Sequence, residues 1–186
     1  PLQVAVNLSA RNLLDERLPA MVAELLTVHG VPAALLELEV TEPGLMTEPG
    51  RAQRLLEQLA RLGVAISVDD FGAGYTSLGQ LKDLPVSELK VDRSFVTTMT
   101  QDRSNALIVH SVVDLGHNLG LTIVAEGVET AEALTALAGV GCDVAQGYHL
   151  ARPMPVDAFD TWAAAFATRV PGPASGRPTA PTQPAS

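Results

Sequence analysis

Each β-rich apolar run in the chain ends at or beside a polar side chain: Asn7 after "LQVAV", Glu39 in "ALLELEV", Asp69 and Asp70 after "VAISV", Lys90 in "SELKV", Glu126 after "LTIVA" and Gln146 in "CDVAQ". Taken singly, any of these is an ordinary solvated strand end. Repeated over successive runs, with Glu39, Asp69, Asp70 and Glu126 all carboxylates, they describe one ring of groups at one end of a sheet. Carboxylates converging at low dielectric must be protonated, kept apart or bound to cations. Cations are the simplest resolution. Oxygen ligands with no Cys or His at metal-like spacing favour hard ions such as Mg²⁺ or Mn²⁺ over structural zinc. The adjacent Asp69 and Asp70 can reach two ions together, one from the strand end and the other from the first loop residue. Two ions bridged by a carboxylate suit the in-line attack of an activated water on a phosphodiester. Lys90 then stands as a fixed positive charge beside the water or the developing oxyanion.

Such a ring requires parallel strands whose carboxyl ends share one rim. The β-rich runs alternate with segments of helical period; in "RAQRLLEQLARLG", Leu55, Leu56, Leu59 and Leu62 share a face. That alternation means βα units and a parallel sheet. Gly30, Gly63 and Gly120 each follow such a helix, where a left-handed cap is needed. The predicted class is α/β, a TIM-like (β/α) barrel whose strand ends form the mouth. Six strand-helix units are visible in the sequence where a barrel needs eight, so the barrel reads as incomplete. No Gly-rich loop of dinucleotide or Walker type follows a strand.

Composition narrows the function classes. The chain has 186 residues, 47% hydrophobic and only 4% aromatic, which suits one globular domain with an aliphatic core. A formal charge of −9 argues against binding to polymeric nucleic acid, so any phosphate ligand must be met locally. The single cysteine, Cys142, excludes an internal disulfide and reads as a buried, inert thiol. The sequence shows no apolar run of ~18 residues and no charged-then-apolar leader, which predicts a cytoplasmic segment without membrane contact. The chain opens on Pro1 already inside an apolar run, which reads as a cut. From Val170 the sequence is built of Pro, Ala, Ser, Thr and Gly, so residues 1–168 are assigned to the domain and 169–186 to a disordered tail. His29, His110 and His117 read as packing or solvent-facing groups, and His149 as a loop residue rather than a ligand.

Five separated motifs, "VNLSARNL", "LELEVTE", "VDDFGAGYTSLGQLKDLPVSELKVDRSFV", "IVAEGVET" and "AQGYHLARPMP", occur in an order that resembles the EAL domain, from about residue 2 to residue 160. That family comprises bacterial phosphodiesterases that linearise cyclic di-GMP to pGpG. The resemblance implies a two-metal site using Mg²⁺ or Mn²⁺. Position by position, Asn7, Glu39 and Asp69 match metal ligands, Asp69 bridging to the second ion, and Asp70 and Glu126 match the groups that complete the second site. Lys90 matches the lysine that orients the attacking water, and Gln146 the glutamine near that water and the substrate phosphate. Glu126 is also a candidate general base, and its two roles stay open. "FGAGYTSL" looks like the family's mobile loop, which couples metal binding to dimer contacts, and Glu42 matches the glutamate that braces it. Ala73 stands where threonine is usual and Thr76 where serine is usual.

The Glu-Ala-Leu signature that names the family lies upstream of "VNLSARNL" and is absent from this sequence. With it go a metal-binding glutamate and an arginine used on the substrate phosphate. The expectation is therefore an N-terminally truncated barrel lacking its first two strands. Its parent hydrolyses cyclic di-GMP in second-messenger signalling, whereas this fragment alone is inactive. The alternatives are a degenerate EAL domain serving as a cyclic di-GMP receptor or protein-interaction module, and an unrelated two-metal barrel. A homodimer and an upstream regulatory or diguanylate cyclase domain are the partners implied.

Overall fold

The computed structural model describes residues 2–72 and 78–167. Contacts divide the chain into two compact units, residues 1–151 and residues 152 onward. The first holds six strands, β1 (Val4–Leu8), β2 (Leu36–Thr41), β3 (Ala65–Phe71), β4 (Glu88–Val91), β5 (Thr122–Ala125) and β6 (Val144–Ala145). They form one sheet in the order β1-β2-β3-β4-β5-β6, every neighbouring pair parallel. Among the described residues this sheet is open, with β1 and β6 as its edges. The connections carry the helices α1 (Leu18–His29), α2 (Glu42–Met46), α3 (Pro49–Arg61), α4 (Leu78–Asp83), α5 (Arg93–Val96), α6 (Arg103–Asn118) and α7 (Ala131–Gly139). The second unit contributes α8 (Val156–Ala167), along which Phe159, Trp162 and Phe166 pack in sequence, with centroids 5.8 and 4.9 Å apart.

Strand alternation sorts the side chains into two environments. Leu38 and Val40, Ile66 and Val68, Leu89 and Val91, and Ile123 and Ala125 lie on the helix-covered face and are buried. They pack in one core with Leu55, Leu56 and Leu59 of α3, Val109, Val112 and Val113 of α6, and Leu137 of α7. Leu62, expected on the apolar face of α3, falls one residue beyond its end and is 36% exposed. The opposite sheet face carries Glu37, Glu39, Ser67 and Lys90, also buried. Polar groups buried on the inner face of a parallel βα sheet mark the side from which a barrel builds its site.

Local signals end the elements where the sequence places them. Gly30, Gly63 and Gly120 all adopt positive φ. Asp102 caps α6 by accepting from the amides of Ser104 and Asn105, and the Thr130 hydroxyl accepts from the Ala133 amide at the start of α7. Gly116 allows α6 to approach β5: a Cβ there would overlap the Ile123 side chain. At the β1 edge Val4 and Val6 are exposed, as are Met21, Leu25 and Val28 along α1. The proposed tail, 169–186, lies outside the described residues.

Candidate active site at the carboxyl ends of the strands

Strand register brings the predicted residues to one rim. Asn7 on β1 is paired with Glu39 on β2, and Thr41 at the end of β2 with Asp69 on β3. Lys90 is paired with Val124, so Glu126, directly after β5, stands one step above the lysine; its amide donates to the Val91 carbonyl at 3.2 Å. Gln146 directly follows β6, where its amide donates to Ala125 O at 2.8 Å and its carbonyl accepts from Val128 N at 3.0 Å. Gly147 permits that approach, since a Cβ there would strike the Val128 backbone.

Lys90 is the hub. Its side chain is only 4% exposed, and Nζ lies 2.5 Å from Glu39 Oε1, 2.6 Å from Glu126 Oε1 and 3.9 Å from Asp69 Oδ1. Burial works against the ammonium, but the hydrogen bonds to Glu126 and Glu39 outweigh it and hold the lysine protonated above its ordinary range. A lysine so held is a charge and a hydrogen-bond donor, not a base.

The second cluster is acidic. Asp69, Asp70 and Glu126 each present a carboxylate oxygen, all within 4.8 Å of one another. An unbroken strand would send the side chains of residues 69 and 70 to opposite faces. Here both aspartates lie within β3, not at its end followed by a loop as the sequence suggested, and the ladder to β4 slips between Val68 and Phe71. Asp70 has φ +56°, alone among the non-glycine residues described, and its amide donates to Asp69 Oδ1 at 2.9 Å. A side chain in left-handed backbone is sparsely allowed and persists where its surroundings fix it. This slip is what brings the two carboxylates together. Burial, then the charge of Asp69, then Asp92 and Glu126, push Asp70 up to about 6.

Four carboxylates against one ammonium leave an excess of negative charge, and a divalent cation is the group that this oxygen-rich donor set fits. Glu39, Asp69, Asp70 and Glu126 could hold it directly. Asn7, on the edge strand β1, and Gln146, directly after the edge strand β6, are exposed and share the rim by register.

Asp92 was not anticipated. It follows β4 directly, caps α5 by accepting from Ser94 N at 2.7 Å, and interacts electrostatically with Asp70. Burial raises its pKa, but the bonds from Ser94 and the interaction with Asp70 outweigh burial and leave it below the usual carboxylate value. The signal was legible, because an Asp followed by "RS" where a strand ends is an N-cap pattern. Glu42, the first residue of α2, is 2% exposed and accepts from Gly72 N at 3.4 Å. The loop it was expected to brace, with Ala73 and Thr76, lies outside the described residues. The histidines stay apart from the site: His117 Nε2 lies 2.9 Å from Asp143, which also accepts from the Ile123 amide at the amino end of β5, and His110 lies 3.7 Å from Asp114. His149 is an exposed loop residue.

A parallel β/α sheet in sequential strand order, with acids and one locked lysine along its carboxyl rim, is the arrangement from which a TIM-like barrel builds a site at its mouth. The chain belongs to the EAL domain family, whose model matches residues 1–153. It is 46% identical over 154 residues to the bifunctional diguanylate cyclase/cyclic di-GMP phosphodiesterase MucR of Pseudomonas aeruginosa, a match covering 83% of this chain and 22% of MucR. The solved complex of the PaMucR phosphodiesterase with c-di-GMP superposes with TM-score 0.81 at 45% identity, covering 84% of this chain and 64% of that one. A manganese and c-di-GMP complex of Klebsiella pneumoniae BlrP1 superposes with TM-score 0.76 at 34% identity, covering 81% and 39%. The chain thus spans about a fifth of the length of MucR. No described helix is long and apolar enough to cross a membrane.

Proposed function

We propose that this chain supplies the larger part of a divalent-metal-dependent phosphodiesterase site that hydrolyses cyclic di-GMP to linear pGpG in bacterial signalling. The observation that carries the reading is the three-carboxylate cluster of Asp69, Asp70 and Glu126 beside a lysine locked by Glu39 and Glu126. Mg²⁺ or Mn²⁺ would be held by Asn7, Glu39, Asp69, Asp70 and Glu126, and would supply Lewis acidity for a water nucleophile and neutralise phosphate charge. The chain's own residues do the rest. Two of the Lys90 N–H groups are committed to Glu39 and Glu126, which fixes the ammonium, and the remaining charge faces the Asp69 side, where it orients water and stabilises a developing oxyanion. Gln146, on the same rim, would donate its side-chain amide to a substrate phosphate oxygen. Glu126 both anchors Lys90 and belongs to the acid cluster, so it can accept a proton or hold a cation. The MucR and BlrP1 complexes with the cyclic dinucleotide support this choice of substrate.

The test is hydrolysis by the full-length protein, with products identified by mass. Cyclic di-GMP should be opened to pGpG with added Mn²⁺ or Mg²⁺, a chelator should stop the reaction, and a generic linear phosphodiester should be a poor substrate. Asp69→Asn should abolish turnover with the fold retained, because a ligating charge is lost at nearly constant volume. Binding of the cyclic dinucleotide without turnover would mark a receptor instead, and normal activity in the Asp69 variant would remove the metal assignment.

A further inference from the structure

The rim is crowded along β4, β5 and β6, and two glycines allow it. Gly127 directly follows Glu126 and sits against the first turn of α5. A Cβ on it would stand 2.6 Å from Arg93 Cβ, 3.2 Å from Arg93 Cα and 3.5 Å from Thr97 Cγ2. Its φ of +70° also favours glycine. Gly147 directly follows Gln146 and has no positive φ, so space alone requires glycine there: a Cβ would overlap the Val128 backbone, 2.7 Å from its carbonyl carbon. The segment from Glu126 to Val128 is therefore gripped from two sides. One side is α5, anchored by the wholly buried Val96 and capped by Asp92. The other is the turn after β6, where the Gln146 carbonyl accepts from Val128 N at 3.0 Å and His149 N donates to Val128 O at 2.9 Å. Val128 itself is wholly buried.

We propose that Gly127 is a positioning residue for Glu126, with Gly147 closing the clamp from the other side. The two missing side chains set the Glu126 main chain where its Oε1 meets Lys90 Nζ at 2.6 Å and a carboxylate oxygen still lies within 4.8 Å of those of Asp69 and Asp70. One carboxylate can serve the lysine and the acid cluster together only over a narrow range of backbone positions. Carbon atoms pack at roughly 3.5–4.0 Å, so an alanine methyl at 127 must separate the segment from Arg93 by about 1 Å. Neither neighbour yields easily, because the atoms met are Cα and Cβ of a helix residue rather than the far end of a side chain, and Val128 is fixed by burial and two backbone hydrogen bonds. The displacement falls on Glu126, whose carboxylate parts from Lys90, from the acids or from both. A misplacement of about 1 Å can lower a rate by ~10²-fold, and loss of the support behind a metal ligand lowers metal affinity by ~10–100-fold.

Only the kinetic consequence rests on the hydrolytic reading, so the full-length protein is tested in two arms. The first needs no turnover. Amide hydrogen exchange of the metal-free protein, read by mass spectrometry, should quicken in Gly127→Ala within residues 125–130 and 145–150 while β2 and β3 keep wild-type protection. Titration calorimetry should show Mn²⁺ bound ~10-fold or more weakly. Gly147→Ala, where no φ strain enters, should loosen the same peptides; Gly139→Ala, at the end of α7 with open space around it, should change nothing. In the second arm Gly127→Ala should lower kcat by ~10-fold or more at saturating Mn²⁺ with KM little changed. Adding Arg93→Gly, which removes the atom at 2.6 Å, should return part of the Mn²⁺ affinity and of kcat, as a global loss of stability would not. Wild-type exchange and Mn²⁺ affinity in a folded Gly127→Ala, or no recovery in the double variant, overturns the proposal. If Gly127→Ala does not fold, Gly147→Ala decides by the same readings. A wild type that hydrolyses nothing would overturn the enzymatic reading alone, and the first arm would still decide the clamp.

Discussion

Replacing Lys90 by methionine removes a charge while keeping most of the side-chain volume, so its effects are electrostatic rather than steric. In the metal-free protein Glu39 and Glu126, with side chains only 10% and 18% exposed, would lose their shared ammonium at 2.5 and 2.6 Å. Removing one partner of a buried ion pair costs about 3–5 kcal/mol, because the charge left behind has neither water nor a counterion. For a domain of this size each kcal/mol moves Tm by about 2–4 °C, so Lys90→Met should unfold roughly 6–20 °C below the wild type. Mn²⁺ should recover part of that loss, since a dication takes up charge that the lysine no longer balances. In kinetics the same change should lower kcat by a factor on the order of 10² or more with little change in KM, as for a group acting mainly in the transition state. Thermal unfolding with and without Mn²⁺, followed by steady-state hydrolysis of cyclic di-GMP, measures both. An unchanged Tm in the metal-free variant would show that Lys90 does not hold the two glutamates. Retained kcat with a raised KM would move it from the reaction to substrate binding.

Asp70 gives a pH prediction. Its pKa rises from 3.8 to about 6 on folding, so the metal-free fold binds the proton better than the unfolded chain. Its contribution to stability is full below pH 3.8 and is lost as pH rises through about 6; a pH series of unfolding midpoints should lose that component in Asp70→Asn. Mn²⁺ affinity should rise over the same interval, because the ion needs the ionised carboxylate, and titration calorimetry at pH 5 and pH 7 reads the difference. Gly116→Ala should cost about 1–3 kcal/mol, since the added methyl overlaps Ile123 and forces α6 away from β5. Denaturant unfolding at unchanged m-value would register it, and wild-type stability would show that Ile123 rearranges freely.

The sequence carried the architecture because the sheet obeys local rules. Alternating β-rich runs and helices of period 3.6 can be satisfied only by parallel strands with connecting helices, and the glycines at 30, 63 and 120 end helices by backbone conformation alone. Placing Asn7, Glu39, Lys90, Glu126 and Gln146 on one rim followed from the same periodicity, since parallel strands deliver their carboxyl ends to one edge. Other features depended on register between distant strands. Asp69 and Asp70 converge because β3 slips against β4 and residue 70 turns left-handed, which no run of adjacent residues announces. Lys90 looks from its sequence like a mouth residue, but its burial and two short ion pairs depend on strands 51 and 36 positions away. Gly127 and Arg93 read singly as a loop glycine and a solvated arginine. Only the tertiary structure sets them against each other, because the room left for a side chain depends on which groups surround it in space, and that surrounding comes from segments far apart in the chain.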